Sequence, residues 1–402
     1  MSADDPIAPR PTTSAQPPTS AQPTATAQPP ATASAQPETA ADAVQSRVRL
    51  SGASLPIVVA TVALFVVSAV FEPDSVRHSA ILGMLPLAAV LAILAMGQTL
   101  VIQQGGIDLS VPGMVSLTLV LVTHYPGGDS SRLAVAIILA FVATIAAGLL
   151  SGFIISYVRV TPIVATLGMN AVLYGFVLQI SGGNPTSTTN ALSNFAGGRV
   201  AGIPTAVIIA VVLAAITALI IKRTVAGRRF EAVGSSLLGA RAAGVEARRY
   251  QLAAYACAGL LYCAGAILLG GILGTPNLFQ GDSYLLPSVA AVVLGGTSLL
   301  GGRGSVIATA VAALFISQLD QFVLVLGASN GVQNLVDAGA LGAGLAIYSV
   351  PWRRLRRRQG GATAAGRPGQ VGPDGGPPTA SAPSGQTGSV SAGATVASGS
   401  HK

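Results

Sequence analysis

The chain has 402 residues, of which 51% are hydrophobic and only 9% charged, with a mean hydropathy of +0.65. A soluble domain carries roughly 25% charged residues, so a solvated globule is excluded and a polytopic membrane protein is the direct reading. The formal net charge is +8, and where it sits along the chain says more than its size.

In chain order, residues 1–47 are Pro, Ala, Thr, Ser and Gln, with "SAQP" recurring at Ser14, Ser20 and Ser34 and "TAQP" at Thr26. Such a segment cannot bury enough apolar surface to fold and is expected to be disordered. It also lacks the apolar core of a signal peptide. Residues 359–402 are Gly, Ser, Ala, Thr and Pro and read the same way. The domain between them, 48–358, is a series of apolar runs with short polar breaks. A crossing helix needs about 20 residues. On that rule the runs 55–71, 80–103, 110–124, 133–157, 162–181, 204–221, 250–274, 285–300, 305–326 and 332–350 predict an all-α fold of about ten transmembrane helices. Some of these are expected to break at glycine-rich motifs.

Charge placement sets the predicted orientation. With the N-terminus inside, the inside connections hold Arg47, Arg49, Arg159, the basic residues of 222–251, Arg303 and the run "WRRLRRR", sixteen in all. The outside connections hold three, Arg77, Arg132 and Arg199. That asymmetry obeys the positive-inside rule and places both termini in the cytoplasm of a plasma-membrane protein. Beside a final crossing, the basic run 353–358 reads as an anchor facing anionic lipid, not as a nucleic-acid patch.

Two stretches carry the chemistry. "QQGGIDLSVPG", Gln103–Gly113, puts an Asp, paired glycines and a proline between apolar runs. Glycines permit close backbone approach and Pro112 blocks simple helix continuation. Broken backbone at membrane depth is tolerated only where protein or water surrounds it. Asp108 is therefore expected in a broken element beside the translocation path or gate, or as a cap accepting N–H bonds near Ser110. Gly105, Gly106, Ser110, Gln98 and Asn170 join it as candidates. Further polar residues at membrane depth are Gln103, Thr166, Gln179 and Gln318, and then Asp320, Gln321, Gln333, Asn334 and Asp337. Each could serve a hydroxylated solute or simply bond a neighbouring helix.

The second stretch is the long basic connection 222–251, with glycines at Gly227, Gly234, Gly239 and Gly244. Its length and glycine placement predict short helical pieces that dock a cytoplasmic partner; a loop that only enforces topology is the alternative. "GGTSLLGGRG", Gly295–Gly304, is a further break whose likeness to "GGIDLS" hints at an internal repeat. Cys257 and Cys263 lie on different faces of one predicted helix and read as packing residues. The three histidines are scattered, so no metal site is expected.

"GRRFEAVGSSLLGARAAGV" resembles the coupling segment of bacterial ABC-transporter permeases of the ribose, xylose and arabinose class. It matches at Gly227, Arg228, Ala232, Val233 and Gly234, then at Ala240, Arg241, Gly244 and Val245; Ser236, Leu238 and Gly239 depart from the pattern. "GGIDLSV", Gly105–Val111, matches the family signature, with Pro112 where a glycine is usual. "VTPIVATLGMNAVLYGFVLQISGG" and "AAVVLGGTSLLGGRGSVIATAVAALF" match further blocks, so the resemblance spans about residues 55–350.

The resemblance implies a permease subunit importing a small sugar or polyol. Implied partners are a second permease subunit, identical or related, a cytoplasmic ABC ATPase, and an extracellular or lipid-anchored solute-binding protein. Gly227, Arg228, Glu231, Gly234, Arg241 and Gly244 are the implied ATPase-coupling residues. No G-x-x-x-x-G-K-[ST] occurs, so ATP is expected on the partner and no cofactor or catalytic residue in this chain. The alternatives are an ion-coupled secondary transporter using Asp108, Asp320 and Asp337, or an ABC permease for nucleosides or branched-chain amino acids.

The topology is directly testable. Single cysteines in the 182–203 and 222–250 connections are expected to label from opposite sides of the membrane in intact cells. Labelling of 222–250 from outside overturns the assignment.

Overall fold

A computed structural model describes residues 55–349; the two tails, Arg47, Arg49 and the run 353–358 lie outside the described residues. The described chain is helical apart from connecting turns and one two-residue hairpin, Arg199–Val200 paired antiparallel with Ile203–Pro204. Ten apolar helices correspond to the ten runs. They are α1 (Leu55–Phe71), α2 (His78–Gln103), α3 (Val111–His124), α4 (Leu133–Phe153) and α5 (Pro162–Ser181). After a short α6 (Asn190–Ala196) comes α7 (Thr205–Arg223). The connection holds α8 (Val225–Ser235) and α9 (Leu237–Ala242). Then come α10 (Ala247–Leu273), α11 (Asp282–Leu294), α12 (Val306–Val325) and α13 (Asn330–Ser349).

Six of the described helices, α2, α4, α5, α7, α10 and α12, are long and apolar enough to cross a bilayer alone. Helices α2 and α10 are mostly buried and form the centre. Helices α4, α5 and α7 expose most of their apolar surface, including Ile138, Val142, Val164, Leu167, Val211 and Leu219. An exposed apolar belt of that extent belongs against lipid tails.

Helices α3 and α11 are broken crossings beside glycine-rich motifs, as the sequence leads one to expect. At 14 and 13 residues they are about 20 Å long, two thirds of a hydrocarbon core of about 30 Å. The predicted segment 285–300 is also shifted, because α11 runs Asp282–Leu294 and the following "GGTSLLGGRG" is non-helical. Contacts along α5 give the depth of α3. Gly106 lies beside Pro162 at the start of α5, and Leu109 and Gly113 bond Thr166 and Asn170 further along. His124 ends against the Asn184 carbonyl beyond the helix. The chain thus returns from α2 as a non-helical stretch of turns and becomes helical only part of the way across. Helix α11 starts at the same depth: the Gly281 N–H donates to Ser116 Oγ at 3.2 Å, and a Cβ on Gly281 would meet the Pro112 carbonyl at 2.2 Å. The two half-helices meet by their N-termini.

The 222–251 connection corrects a second expectation. It is built of short helical pieces, but Ser236 divides them, not the glycines. Ser236 is extended, and its side chain caps α9 by accepting from the Gly239 N–H. Gly227, Gly234 and Gly239 lie within helices. Of the four glycines only Gly244 terminates a helix. At φ +74 it donates to the Arg241 carbonyl while the Val245 N–H reaches Ala240, a left-handed cap that an L side chain strains.

Close packing rests on glycine where α10 crosses α4. A Cβ on Gly148 would lie 2.4 Å from the Tyr255 carbonyl, and one on Gly259 would lie 2.5 Å from that of Thr144. Lipid tails are as apolar as leucine, so close backbone approach and dispersion hold such helices together. Cys257 is exposed and Cys263 buried on α10, on different faces as expected. Gly259→Leu is expected to lower the stability of the purified protein by about 1–3 kcal/mol, read by thermal unfolding in detergent. The control Gly168→Leu enters open space and is expected to change little.

Candidate functional site

The site begins where α2 ends. The Gly105 N–H bonds the Ile102 carbonyl and the Gly106 N–H bonds that of Val101, with Gly105 at φ +79. This pair of bonds closes a helix C-terminus through a left-handed residue, a position that selects glycine. Helix α11 ends identically, with Gly296 bonding Val293 and Thr297 bonding Val292. Helices α2 and α11 therefore share one stop signal, and both stops lie on the face that carries α8 and α9.

Beyond the stop, residues 107–110 are unwound, with Asp108 and Ser110 buried and Ile107 and Leu109 half-buried. A buried N–H or C=O without a partner costs about as much as a lost hydrogen bond, more in an apolar bundle. The polar residues flagged from the sequence meet this need. The Asp108 side chain, fully buried, accepts through Oδ1 from the Ser110 N–H at 2.9 Å and from Ser110 Oγ at 2.5 Å. Thr166 Oγ1 accepts from the Leu109 N–H at 3.0 Å, and Asn170 Oδ1 from the Gly113 N–H at 2.7 Å. Gln98 Nε2 donates to the Asp108 carbonyl at 3.3 Å, while its Oε1 accepts from the Tyr262 hydroxyl at 2.8 Å. Asp108 is thus a local cap, one of the two readings its sequence context allows. Its Oδ2 has no hydrogen-bond partner among the described residues, nor has the Tyr255 hydroxyl.

The second half of the site joins this break to α8. The Gln103 carbonyl accepts from the Gly302 N–H at 2.9 Å. A Cβ on Gly234 would sit 2.0 Å from the same carbonyl, and one on Gly302 would sit 2.6 Å from Ser235 Oγ. A Cβ on Gly301 would meet the Gly234 carbonyl at 2.8 Å. Three backbones therefore pack closely through glycine, with the Ser235 side chain beside Gly302: the end of α2, the end of α8, and the loop between α11 and α12. Gln104 Nε2 adds a bond to the Phe230 carbonyl at 2.9 Å.

The remaining loop candidates divide into two sets. Gly227 packs on the Ile220 and Ile221 carbonyls, and Glu231 pairs with Lys222 at 2.5 Å, so both fix α8 against α7. Arg228 and Arg241 are exposed. Arg241 lines a cleft of about 460 Å³ with Gly105, Gly106, Arg159 and Tyr255. Gly105 and Gly106 thus reach open space, whereas Gln98, Asp108, Ser110 and Asn170 line neither this cleft nor the other large one. Sequence reasoning missed Tyr255 and Tyr262. Their spacing of two helical turns on one face of α10 was the available signal.

Substitutions separate the two halves. Asp108→Asn keeps an acceptor oxygen for Ser110 and is expected to fold nearly as well as wild type. Asp108→Leu is expected to lose about 0.5–2 kcal/mol of capping energy, read by thermal unfolding. Gly234→Ala is expected to leave insertion intact and displace α8 from Gln103, read as loss of a crosslink between cysteines placed at Ser235 and Arg303.

Comparison with known proteins agrees with this architecture. Residues 80–348 match the family model described as branched-chain amino acid transport system / permease component. The chain is 33% identical over 278 residues to ribose import permease protein RbsC of Bacillus subtilis, covering 68% of this chain and 85% of the relative. It is 31% identical over 285 residues to RbsC of Escherichia coli K12, covering 70% and 88%. It is 31% identical over 290 residues to autoinducer 2 import system permease protein LsrD of Escherichia coli O9:H4, covering 69% and 86%. No solved structure matches. With a family match over most of its length, and with α2, α3, α11 and the α8–α9 connection inside it, the chain belongs to the ABC-importer permease family that includes these ribose and autoinducer-2 import permeases.

Proposed function

We propose that this protein is the membrane-spanning permease subunit of a bacterial ABC importer for a small sugar or related polyol. The observation that carries the reading is the close backbone contact of Gly234 on α8 with the Gln103 carbonyl and the Gly302 N–H. A push on the α8–α9 connection reaches the end of α2 and the loop after α11 through this backbone contact. That is what a subunit driven by a separate ATPase needs. The relatives named for ribose and autoinducer-2 import support a hydroxylated solute.

In this reading the α8–α9 face is cytoplasmic and docks the ATPase, which binds and hydrolyses the ATP. Leu238 on α9 and Leu300 between α11 and α12 stand out from this face, 78% and 94% exposed. Isolated leucines beside Arg228 and Arg241 fit an interface with an apolar centre and a basic rim. The opposite face carries α6 and the Arg199–Pro204 hairpin, with Phe195, Val200 and Ile203 exposed, and would receive the solute-binding protein. A second permease subunit completes the pathway.

The test reconstitutes the protein with the ATPase and solute-binding protein encoded beside it. Uptake is expected to require ATP and to survive collapse of ion gradients. Uptake that follows the gradient and ignores ATP defeats the reading in favour of an ion-coupled transporter. Leu238→Glu and Leu300→Glu are each expected to lower ATPase co-purification roughly tenfold, the loss of about 1.4 kcal/mol at an interface anchor. Membrane abundance should not change.

A further inference from the structure

The chain reaches the start of α11 by a route that a lipid-facing surface does not allow. Helix α10 ends at Leu273 beside the outer connection, where the Thr188 N–H donates to the Gly274 carbonyl at 2.7 Å. Residues 274–281 then run inward without forming a helix. Two contacts measure how far they go. The Gly281 N–H donates to Ser116 Oγ, eight residues before the end of α3. The Tyr174 hydroxyl donates to Asp282 Oδ1, seven residues before the end of α5. At about 1.5 Å per residue, both place the first turn of α11 roughly 10–12 Å inside the outer helix ends, well within a hydrocarbon core of about 30 Å.

On this inward stretch Thr275, Asn277, Phe279, Asp282 and Ser283 are exposed. Irregular backbone and an ionisable side chain are both unstable against lipid. The backbone groups find no partner there, and a carboxyl must face the bundle interior or water. An acidic residue in the first turn of α11 offsets the helix dipole. That accounts for an Asp at this position, not for its exposure at this depth. Helix α4 gives the contrast: its exposed residues at comparable depth, Ile138, Leu139 and Val142, are all apolar.

Water or another protein must therefore cover this face. A second copy of this chain offers the carboxyl no counter-charge at this depth. Every described Lys, Arg and His lies in a connection or in the terminal turn of a membrane helix. The rim of the stretch is α6 and the 182–189 connection, since a Cβ on Gly271 would meet the Leu192 carbonyl at 2.6 Å. The stretch thus opens beneath the face that, in the reading above, receives the solute-binding protein.

We propose that residues 275–283, with Tyr174 on α5, line a water-filled vestibule that forms the outer part of the translocation path, and that Asp282 stands at its floor. The proposal rests on the importer reading, which supplies the direction of travel. It adds which face of the subunit lines the path and which carboxyl meets whatever enters. The Asp108 network takes no part in it, because its polar groups are spent on backbone.

The experiment uses the full chain with the ATPase encoded beside it, in right-side-out vesicles, carrying Cys257→Ala and one new thiol. The probe is 2-(trimethylammonium)ethyl methanethiosulfonate, a cation that does not cross membranes, added outside. Only the thiolate reacts, so Ser283→Cys is expected to label at least roughly 100-fold faster than Val142→Cys on the apolar face of α4. Asn277→Cys is expected to behave like Ser283→Cys, so a folding defect in one variant does not decide the matter. Slow labelling of both, or a disulfide between two copies through Ser283→Cys, overturns the proposal. Adding Asp282→Asn to Ser283→Cys is expected to lower the preference for this cation over the anionic sulfonatoethyl reagent by roughly threefold. An unchanged preference shows that the carboxyl does not face the vestibule. In nanodiscs with ATP and vanadate, the solute-binding protein at about nine times its Kd is expected to slow labelling of Ser283→Cys roughly tenfold. Binding without protection shows a wet face that lies off the path and overturns the assignment. Failure of the binding protein and the ATPase to associate with the chain defeats the importer reading instead, while the labelling rates still decide whether the face is wet.

Discussion

Unwound backbone inside an apolar bundle must find all its hydrogen bonds within the protein, and the arrangement of this structure follows from that constraint. The stretch 107–110 leaves α2 and does not become helical until Val111. In water its free N–H and C=O groups would be solvated at little cost. Within the membrane each one would cost several kcal/mol. Asp108, Thr166, Asn170 and Gln98 are placed to meet those groups, and their positions fix how α2, α3, α5 and α10 stand against one another. The Tyr262–Gln98–Asp108 chain ties the buried centre of the bundle to the break.

The same constraint explains the glycines. A broken crossing that must respond to an external helix needs a contact that is both tight and free of rotamers. Gly234, Gly301 and Gly302 provide it at the Gln103 carbonyl, where one added methyl group would overlap backbone. Interlocked backbones of this kind transmit displacement because packed interiors do not compress. The helix ends at Gly105 and Gly296 are closed by the same hydrogen-bond pair, and Gln103, Gly301 and Gly302 beside them touch the end of α8. One movement of α8 therefore reaches two crossings at once.

Polarity at membrane depth falls into two functional kinds. Around Asp108 the polar side chains are consumed by backbone and leave Oδ2 as the one carboxyl oxygen without a partner. Around Asp320 and Asp337 they line a cleft, and the two carboxyls lie against each other. Both groups stood among the polar candidates in the sequence, where an aspartate in an apolar run looks the same whether it caps a helix or faces a cleft. What separates them is the identity of the nearest N–H. For Asp108 it is two residues away, in Ser110, whereas Asp337 lies against the Asp320 carboxyl.

The sequence by itself determined the all-α membrane fold, the ten apolar runs, the breaks at Gly105 and Gly295–Gly304, and the separate connection 222–251. Each of these is local: hydropathy, glycine and proline act over one helix length, so their effect can be read without knowing the neighbours. The family resemblance at Gly105–Val111 and Gly227–Val245 was legible for the same reason. Only the tertiary structure decided that α3 and α11 are half-helices meeting at Pro112 and Gly281, that Ser236 and not a glycine divides α8 from α9, and that Gly234 sits on the Gln103 carbonyl. It also decided that Asp320 and Asp337 open onto one cleft while Asn170 turns to backbone. These are contacts between residues tens to hundreds of positions apart, and no local pattern in a single sequence encodes which carbonyl a glycine will approach.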